Sequence, residues 1–468
     1  MTEPSERVRD ETVVSIARAP FSAEQQKWLE GALSAVDDQA LLALAMRMID
    51  IPSPTGDEGP LAHVLESHLR ERGFTTTYQE IDEHRGNAIA RLHGDGTGPD
   101  LLLYGHLDTT FTGDPREDYP VIGARDRPDL RPRAALAGGL LTGLGITNPK
   151  GGDACAIMAA DAVRRAGVPL KGDLILGLVS GGIHKRPTEG VHRDYRGRAY
   201  QGFGIGCEYM LKHGVRPDLA ISTKPGYAVV WEEPGQCWFT VEIKGLFCYS
   251  GTRHVAPCRS PITDAARVID ALDAWFPEYT RRHTLGQLAP QAAIGAIEGG
   301  WPFKPEFVPG ICRLYVDLRT NARQTLPAVK REVDEALTAV RRAHPDLDLD
   351  WEMTLSVPGS RTDPQSWIIQ SCLRAWEAVE QRPHAFVREQ SGTTDGNVLR
   401  NAGIPTARLG LPGLMNPEPG WPPNYDACRV ESLSRLTRAY VHAIVDTCTR
   451  RRDDIAPAAP PEVRPFTR

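Results

Sequence analysis

Hydrophobic residues in the first half of the chain form short uninterrupted runs that alternate with stretches of helical spacing. Residues 101–104, 174–179 and 219–222 are solid apolar runs. Continuous runs of this length predict strands that are buried on both faces of a helix-covered sheet. Residues 23–72 and 151–166 carry apolar positions at helical spacing. Strands that alternate with helices predict an α/β domain, which binds ligands at its strand ends.

The pattern changes near Gly235. Residues 237–244 alternate between apolar and polar side chains, which predicts a strand with one exposed face. The β-α-β-β-α-β order that follows predicts an inserted ferredoxin-like α+β domain. The later elements are predicted as helices at 262–275, 326–343 and 364–381 and strands at 291–297, 312–319, 385–388 and 406–409.

Two domains are therefore expected from a chain of this length. Residues 21–235 and 351–451 are predicted to form a catalytic-type α/β domain around a helix-covered mixed sheet, and 236–350 an inserted lid or dimerisation domain. Residues 1–20 and 452–468 are polar or proline-rich, which predicts disordered tails.

The composition narrows the class of partner. The formal charge of −6 gives no electrostatic basis for binding nucleic acid or an anionic membrane. No apolar run is long enough to cross a bilayer, and residues 1–12 lack the apolar core of a signal peptide. We therefore expect a cytoplasmic protein, and the nine scattered cysteines are expected to be reduced thiols.

The most informative motif is a strand that ends in a polar tip, Leu101-Leu-Leu-Tyr-Gly-His106-Leu-Asp108. It is followed by Gly143-Leu-Gly-Ile-Thr-Asn148-Pro-Lys150-Gly-Gly, by Asp317-Leu-Arg319 and by Gly392-Thr-Thr394-Asp395. In this order the motifs resemble the two-zinc aminoacyl hydrolases, which include acetylornithine deacetylase, succinyl-diaminopimelate desuccinylase, aminoacylase and the glutamate carboxypeptidases. The resemblance covers nearly the whole chain and implies hydrolysis of an amide C–N bond.

The resemblance also implies a ligand set that this chain lacks. His106 matches a metal-binding histidine, and Asp108 matches the acid that orients it. The family's four carboxylates fall on Asn148, Gly181, Gly182 and Lys224. Zinc needs about four ligands, and a lysine repels a cation. We therefore predict no cofactor.

Basic residues are predicted to line the site instead. In the family's architecture, loops carrying Lys150, Lys224, Arg253 and His254 face one cleft, and His184 follows the tip of a buried strand. Clustered cations indicate an anionic ligand, a carboxylate or a phosphate. They can also stabilise a developing oxyanion.

These considerations give a set of candidate site residues. The base is sought among the histidines, whose pKa is ordinarily near neutrality, and His106 with Asp108 is the best-supported pair. The predicted catalytic residues are His106, Asp108, Lys150, His184, Lys224 and Tyr249. The predicted substrate-binding residues are Asn148, Arg253, His254, Arg319, Thr394 and Asp395.

Three readings remain open from the sequence. The first is a hydrolase-like enzyme that acts on a C–N bond of a small anionic molecule. The second is a non-catalytic pseudoenzyme that keeps an anion pocket. The third is a hydrolase rebuilt around one zinc or manganese ion, held by His106 and Asp108 with His184 or Asp153. The insertion commonly mediates dimers in the family, so the resemblance implies a homodimer.

Overall fold

The computed structural model describes residues 14–123, 126–188, 195–196, 199–412 and 424–455. The helices are α1 (Ala23–Ser34), α2 (Asp38–Ile49), α3 (Gly59–Glu71), α4 (Pro115–Ile122), α5 (Gly151–Arg165), α6 (Ile205–Lys212), α7 (Pro261–His283), α8 (Leu326–Ala343), α9 (Trp367–Glu380), α10 (Gly396–Asn401), α11 (Val430–Cys448) and α12 (Arg452–Ile455). The strands are β1 (Thr75–Glu80), β2 (Gly86–Leu92), β3 (Leu101–His106), β4 (Ala135–Ala137), β5 (Leu140–Thr142), β6 (Leu174–Val179), β7 (Leu219–Ser222), β8 (Glu232–Glu233), β9 (Gly235–Lys244), β10 (Cys248–Tyr249), β11 (Ala292–Gly299), β12 (Phe307–Val308), β13 (Ile311–Thr320), β14 (Asp348–Val357), β15 (Ser360–Arg361), β16 (Thr406–Arg408) and β17 (Ala427–Arg429).

A six-stranded mixed sheet organises the larger domain, in the order β1-β2-β6-β3-β7-β16. The four neighbours β6, β3, β7 and β16 run parallel, whereas β2 is antiparallel to both of its neighbours. The carboxyl ends of the four parallel strands therefore meet at one edge of the sheet, which is where α/β proteins place their sites.

Helices cover both faces of this sheet. Every residue of β3 and β6 is buried. Leu103 packs into a core shared with α5 and α11, and the next residue, Tyr104, packs into a second core on the opposite face with α6 and α10. The solid apolar runs are thus explained, and the predicted helix-covered α/β domain is confirmed.

The insertion has its own sheet and its own core. Its four strands are antiparallel, in the order β11-β13-β9-β14. Alternate residues of β9, from Cys237 to Ile243, pack with α7 and α8. The intervening side chains lie on the other face, which no helix of the insertion covers. The predicted inserted α+β domain is confirmed.

The structure corrects three details. The predicted boundary at residue 350 falls inside β14, because that strand pairs with β9 as far as Val357. Residues 385–388 do not form a strand, and Phe386 instead packs edge-on against Trp231. Cys248 and Cys258 form a disulfide rather than reduced thiols, because the turn between them brings their Cα atoms within 5.6 Å.

Only part of the two predicted tails lies within the described residues. Residues 1–13 and 456–468 lie outside the described residues, while Arg452–Ile455 forms a short helix. Over the ranges that the structure describes, no helix combines the length and the apolar character needed to span a bilayer.

Candidate active site at the strand ends

His106 and Asp108 form a buried pair at the end of β3. Both side chains are fully buried, and His106 Nδ1 lies 2.8 Å from Asp108 Oδ1. Because a carboxylate accepts hydrogen bonds, this contact holds a proton on Nδ1 and fixes the ring. Nε2 faces Asn148 Oδ1 at 3.0 Å. Both ring nitrogens therefore face oxygen atoms, and the three predicted residues lie together.

Asp108 is held as a carboxylate by several donors. Thr55 Oγ1 donates to Oδ2 at 2.8 Å, and the backbone N–H groups of Gly182 and Ile183 donate at 2.7 and 3.0 Å. Burial alone would raise the pKa of Asp108, but the hydrogen bonds from His106, Thr55 and Ile183 outweigh burial and hold the pKa below its ordinary value. Asp108 thus anchors the tip of β3 to the loop after β6.

Gly182 stands at the centre of the site. A Cβ on this residue would collide with the His106 side chain and would lie 2.6 Å from Asp395 Oδ2. Its carbonyl oxygen also accepts a hydrogen bond from Lys224 Nζ at 3.4 Å. We call His106, Asp108, Gly182, Lys224 and Asp395 the Gly182 cluster. Any side chain at position 182 would displace the groups that meet there.

Asp395 brings a carboxylate to this position from the start of α10. It is 2% exposed, and Tyr104 donates its hydroxyl to Oδ2 at 2.6 Å. Burial raises the pKa of Asp395, and the neighbouring Lys224 and His106 partly oppose that rise. The Asp395 carboxylate therefore lies beside Gly182, at the end of β6, where Gly181 and Gly182 themselves carry no acidic side chain.

Lys224 supplies the positive charge of the cluster. It follows β7 and is 4% exposed. Burial lowers the pKa of Lys224, while the carboxylates of Asp395 and Asp108 act in the opposite direction. A buried ammonium next to carboxylates is a strong donor to any oxygen that enters the site.

His184 and Arg319 extend the site toward the insertion. The His184 ring stacks on Phe203 with the ring centroids 4.7 Å apart. Burial lowers the pKa of His184 well below its ordinary value, and the nearby cations Lys224 and Arg319 lower it further. His184 is therefore a neutral ring between the Gly182 cluster and Arg319, whose Nε donates to Asp317 Oδ2 at 2.8 Å.

Two predicted residues of the larger domain do not face this cleft. Lys150 is fully buried, and its Nζ donates to the backbone carbonyl of Ile51 at 2.7 Å. Burial lowers the pKa of Lys150 to about 7. Thr394 donates to the buried carboxylate of Glu233 at 2.7 Å. The expectations that Lys150 faces the cleft and that Thr394 contacts substrate are corrected, because Lys150 is bound to a backbone carbonyl and Thr394 to the Glu233 carboxylate.

Three predicted residues of the insertion also lie elsewhere. Tyr249 sits on β10 with its ring 5.8 Å from that of Phe307, and it is 46% exposed. Arg253 and His254 are exposed on the loop closed by the Cys248–Cys258 disulfide. These three residues are exposed in the single chain, and their role at the site stays a prediction.

The prediction from sequence missed one acid, Glu58, and one hydroxyl, that of Tyr104, beneath the site. Glu58 accepts from Gly181 N at 2.9 Å and from Gly56 N at 3.1 Å. Burial and the nearby Asp108 raise the pKa of Glu58 to about 8. Tyr104 positions Asp395. The position of Glu58 directly after the turn 51–57 could have indicated a role at the site. Tyr104 lies inside an apolar run, and nothing in that run distinguishes it from a core residue.

Comparisons with known proteins agree with this architecture. Residues 232–345 match the peptidase dimerisation domain model. The chain is 24% identical over 459 residues to N-formyl-4-amino-5-aminomethyl-2-methylpyrimidine deformylase of Halalkalibacterium halodurans, covering 91% of this chain and 98% of the relative. It is 26% identical over 415 residues to succinyl-diaminopimelate desuccinylase of Methylorubrum extorquens, covering 86% and 98%.

The fold is shared with a solved dinuclear metal-binding peptidase of the M20 family from Bacillus subtilis. That structure aligns with a TM-score of 0.59 and 14% identity over 88% of this chain and 98% of its own. The chain therefore shares the fold of M20 peptidases, and its residues 232–345 match a peptidase dimerisation domain. The M20 relatives named above are hydrolases, which supports hydrolase function at the level of the family.

The prediction of no cofactor is contradicted by these comparisons, because a relative with the same M20 fold binds two metal ions. The residues of this chain fit such a pair of ions poorly. Among the described residues there is no group of three or more His, Cys, Asp or Glu side chains placed to hold a metal, and the Lys224 ammonium lies beside His106. The stretch 421–423, matched by resemblance to the family's last histidine, lies outside the described residues.

Proposed function

We propose that this protein hydrolyses an amide or related C–N bond of a small carboxylate-bearing molecule at the Gly182 cluster. One observation carries the proposal: an ammonium, an imidazole and a carboxylate converge around Gly182 at the ends of adjacent parallel strands. The names of the relatives, a deformylase and a desuccinylase, support cleavage of a short acyl group from an amine.

The roles follow from charge and hydrogen bonding. Lys224 presents its N–H groups to the carbonyl oxygen of the scissile amide and stabilises the negative charge that develops as water attacks. Preorganised donors of this kind contribute about 10²–10³ in rate each. Asp108 keeps the His106 ring in place.

Asp395 is the proposed base. Its carboxylate takes a proton from the attacking water while the oxygen–carbon bond forms. The same carboxyl then gives that proton to the departing nitrogen as the C–N bond breaks. The products are a carboxylic acid and an amine. His106 is less suited to this role, because its two nitrogens face Asp108 and Asn148.

Arg319 is proposed to bind the carboxylate of the substrate. It lies on the open face of the insertion's sheet, close enough to His184 to depress the pKa of that ring. Its Nε donates to Asp317, and the other N–H groups of the guanidinium are proposed to bind the substrate. A guanidinium matches a carboxylate with two parallel hydrogen bonds.

A homodimer is proposed for the assembly. The insertion matches a peptidase dimerisation domain, and it exposes large apolar side chains at Ile297, Trp301 and Phe303. Apolar side chains grouped on a surface are typical of protein interfaces. Light scattering coupled to size exclusion is expected to give twice the chain mass of 51.4 kDa. A single-chain mass at micromolar concentration would contradict the dimer.

The test of the function is a screen of N-formyl, N-acetyl and N-succinyl derivatives of aromatic and aliphatic amino acids. Wild-type protein and the Asp395→Asn variant are assayed as purified and with added zinc, and the released amine is measured by mass spectrometry. We expect one class to be hydrolysed about 10³-fold faster by the wild type. Equal rates for both proteins across the whole panel would contradict the proposal.

A further inference from the structure

A cavity of about 480 Å³ lies between the open face of the insertion's sheet and the segment after β6. Trp238, Tyr315 and Arg319 line it from the insertion, and His184 and Arg186 line it from the larger domain. We propose that this cavity binds a planar aromatic ring bearing a carboxylate, as the part of the substrate away from the scissile bond. The inference rests on the proposed function, since it names the substrate class of the same site.

Two of the rings that line the cavity, His184 and Trp238, are held in position by contacts with Phe203. The His184 ring is parallel to that of Phe203, with an angle of 2° between the planes, and Phe203 meets Trp238 edge-on with the centroids 4.9 Å apart. Trp238 Nε1 donates to Asp317 Oδ1 at 2.7 Å. Such an arrangement favours a third flat ring, because aromatic pairs gain from offset stacking and edge contacts.

The backbone at Phe203 supports this reading. Its φ of 59° lies in the left-handed region, which a bulky side chain seldom adopts. The next residue, Gly204, also has a positive φ of 79°, which a glycine adopts at little cost. Strain of the kind found at Phe203 is concentrated at binding sites. Here it holds the ring between His184 and Trp238.

The register of the insertion's sheet places these groups side by side. Trp238 of β9 lies opposite Asp317 of β13, Thr240 lies opposite Tyr315, and Gln236 lies opposite Arg319. All of these side chains are on the face that points away from the core, because alternate residues of a strand share a face. An aromatic surface and a cation are therefore next to each other.

Arg186 is proposed as a second anchor for the carboxylate of the substrate, beside Arg319. Its guanidinium donates only to the backbone carbonyls of Pro187, at 3.3 Å, and Thr354, at 3.2 Å, within the described part of the chain, where it has no acidic partner. Arg319, by contrast, already pairs with Asp317. With Asp317 matched by Arg319, Arg186 gives the cavity a net positive charge. A carboxylate on the bound ring would neutralise that charge.

The cavity adjoins the reaction site through His184. This residue lines the cavity, and it directly follows Gly182 and Ile183, whose backbone N–H groups donate to Asp108 at 2.7 and 3.0 Å. A ring in the cavity thus brings an attached amide toward the cluster. N-acylated amines whose amine part is an aromatic carboxylate are the substrate class that this arrangement favours.

The test is equilibrium binding, measured by titration calorimetry on the full-length protein without turnover. The probes are 2-naphthoate, decahydro-2-naphthoate of similar shape but without aromaticity, and the uncharged 2-naphthamide. We expect wild-type protein to bind 2-naphthoate about tenfold tighter than either of the other two probes. Equal affinities for the three probes would overturn the inference.

Variants separate the two contributions. Trp238→Leu is expected to remove the preference for the aromatic probe, whereas Trp238→Phe keeps it. Arg186→Gln is expected to remove the preference for the charged probe. Trp301→Leu and Arg313→Gln, which lie outside the cavity lining, serve as matched controls, and thermal unfolding checks that each variant is folded. A preference that survives in both Trp238→Leu and Arg186→Gln would place the binding site elsewhere.

The two proposals fail in different ways. If 2-naphthoate binds with the expected preferences and no amide is hydrolysed, the cavity assignment stands and the proposed hydrolysis is wrong. If amides are hydrolysed and the probes bind without discrimination, the hydrolysis stands and the aromatic cavity is wrong.

Discussion

The two sheets of this protein present their functional groups in different ways. The six-stranded sheet of the larger domain is covered by helices on both faces, so its polar side chains can meet a ligand only at the strand ends. The four-stranded sheet of the insertion has one face packed on α7 and α8 and the other open toward the cleft. There the functional side chains lie along a face, such as Trp238 and Arg319.

From this difference we infer that the strand ends of the larger domain carry out the reaction and that the open face of the insertion's sheet binds the substrate. Buried strand ends concentrate charge where water is scarce, which strengthens electrostatic interactions. An open sheet face offers area and shape but weaker electrostatics. We therefore expect changes at the Gly182 cluster to act on kcat, and changes on the open face to act on KM or on ligand affinity.

The largest effect is expected from Asp395→Asn, which removes the proposed base. Asparagine still accepts the hydrogen bond from Tyr104, so the fold should be retained. The kcat for the best substrate of the panel is expected to fall about 10³-fold. Asp270→Asn, a change at an exposed position of α7, is the control and should leave kcat unchanged. A fall in kcat of less than tenfold for Asp395→Asn would show that Asp395 is not the base.

Lys224→Met is expected to lower kcat/KM about 10²-fold, since it removes a buried donor to the developing oxyanion. The matched control is Lys212→Met on α6, where the lysine pairs with Glu208 at the surface. Steady-state kinetics of both variants measure the effect. Equal kinetics for the two would show that Lys224 does not act on the transition state.

Arg319→Gln tests the open face. We expect KM to rise about tenfold with kcat within about twofold, because the contact is made equally in the ground state and the transition state. Arg313→Gln, six residues earlier on the same face of β13 and paired with Glu242, is the control. A loss confined to kcat would show that Arg319 acts in the reaction itself, and would contradict the separate roles of the two sheets.

The smallest effect concerns stability beneath the strand ends. Asp153 is fully buried, with Oδ2 unpartnered, and burial raises its pKa to about 8. Between pH 4 and 8 the folded chain keeps a proton that the unfolded chain releases, so this group makes the protein less stable as pH rises.

Asp153→Asn should therefore stabilise the protein by about 1–2 kcal/mol at pH 8 and by much less at pH 4. Denaturant unfolding at the two pH values measures this difference, with the surface change Glu208→Gln as the control. Destabilisation by Asp153→Asn that is equal at both pH values would show that the carboxyl is ionised in the fold.

The same contrast explains what the sequence allowed us to predict. His106, Asp108 and Lys224 come directly after apolar runs, and the carboxyl ends of parallel strands meet at one edge, so their proximity was predictable. Trp238 and Tyr315 occupy the exposed positions of ordinary alternating strands, and nothing in that alternation marks them as a binding surface. Their grouping depends on the register between β9 and β13, which only the structure supplies.

The misplaced residues have a related cause. Lys150 was assigned to the cleft because it belongs to the same motif as Asn148. It lies two residues after Asn148, just before α5, and its side chain points to the opposite side, where it donates to the backbone carbonyl of Ile51. Asp395 was expected to contact substrate. Its place beside Gly182 is set by the buried network of Thr394, Glu233 and Arg400, which has no local signature in the sequence.

The most direct test is a crystal structure of the Asp395→Asn variant soaked with the best substrate of the amide panel. The account predicts the amide carbonyl oxygen within about 3.5 Å of Lys224 Nζ, with the rest of the molecule against Trp238 and the substrate carboxylate on an arginine of the open face. A substrate bound away from both sheets, or a Lys224 side chain directed into bulk water, would contradict it.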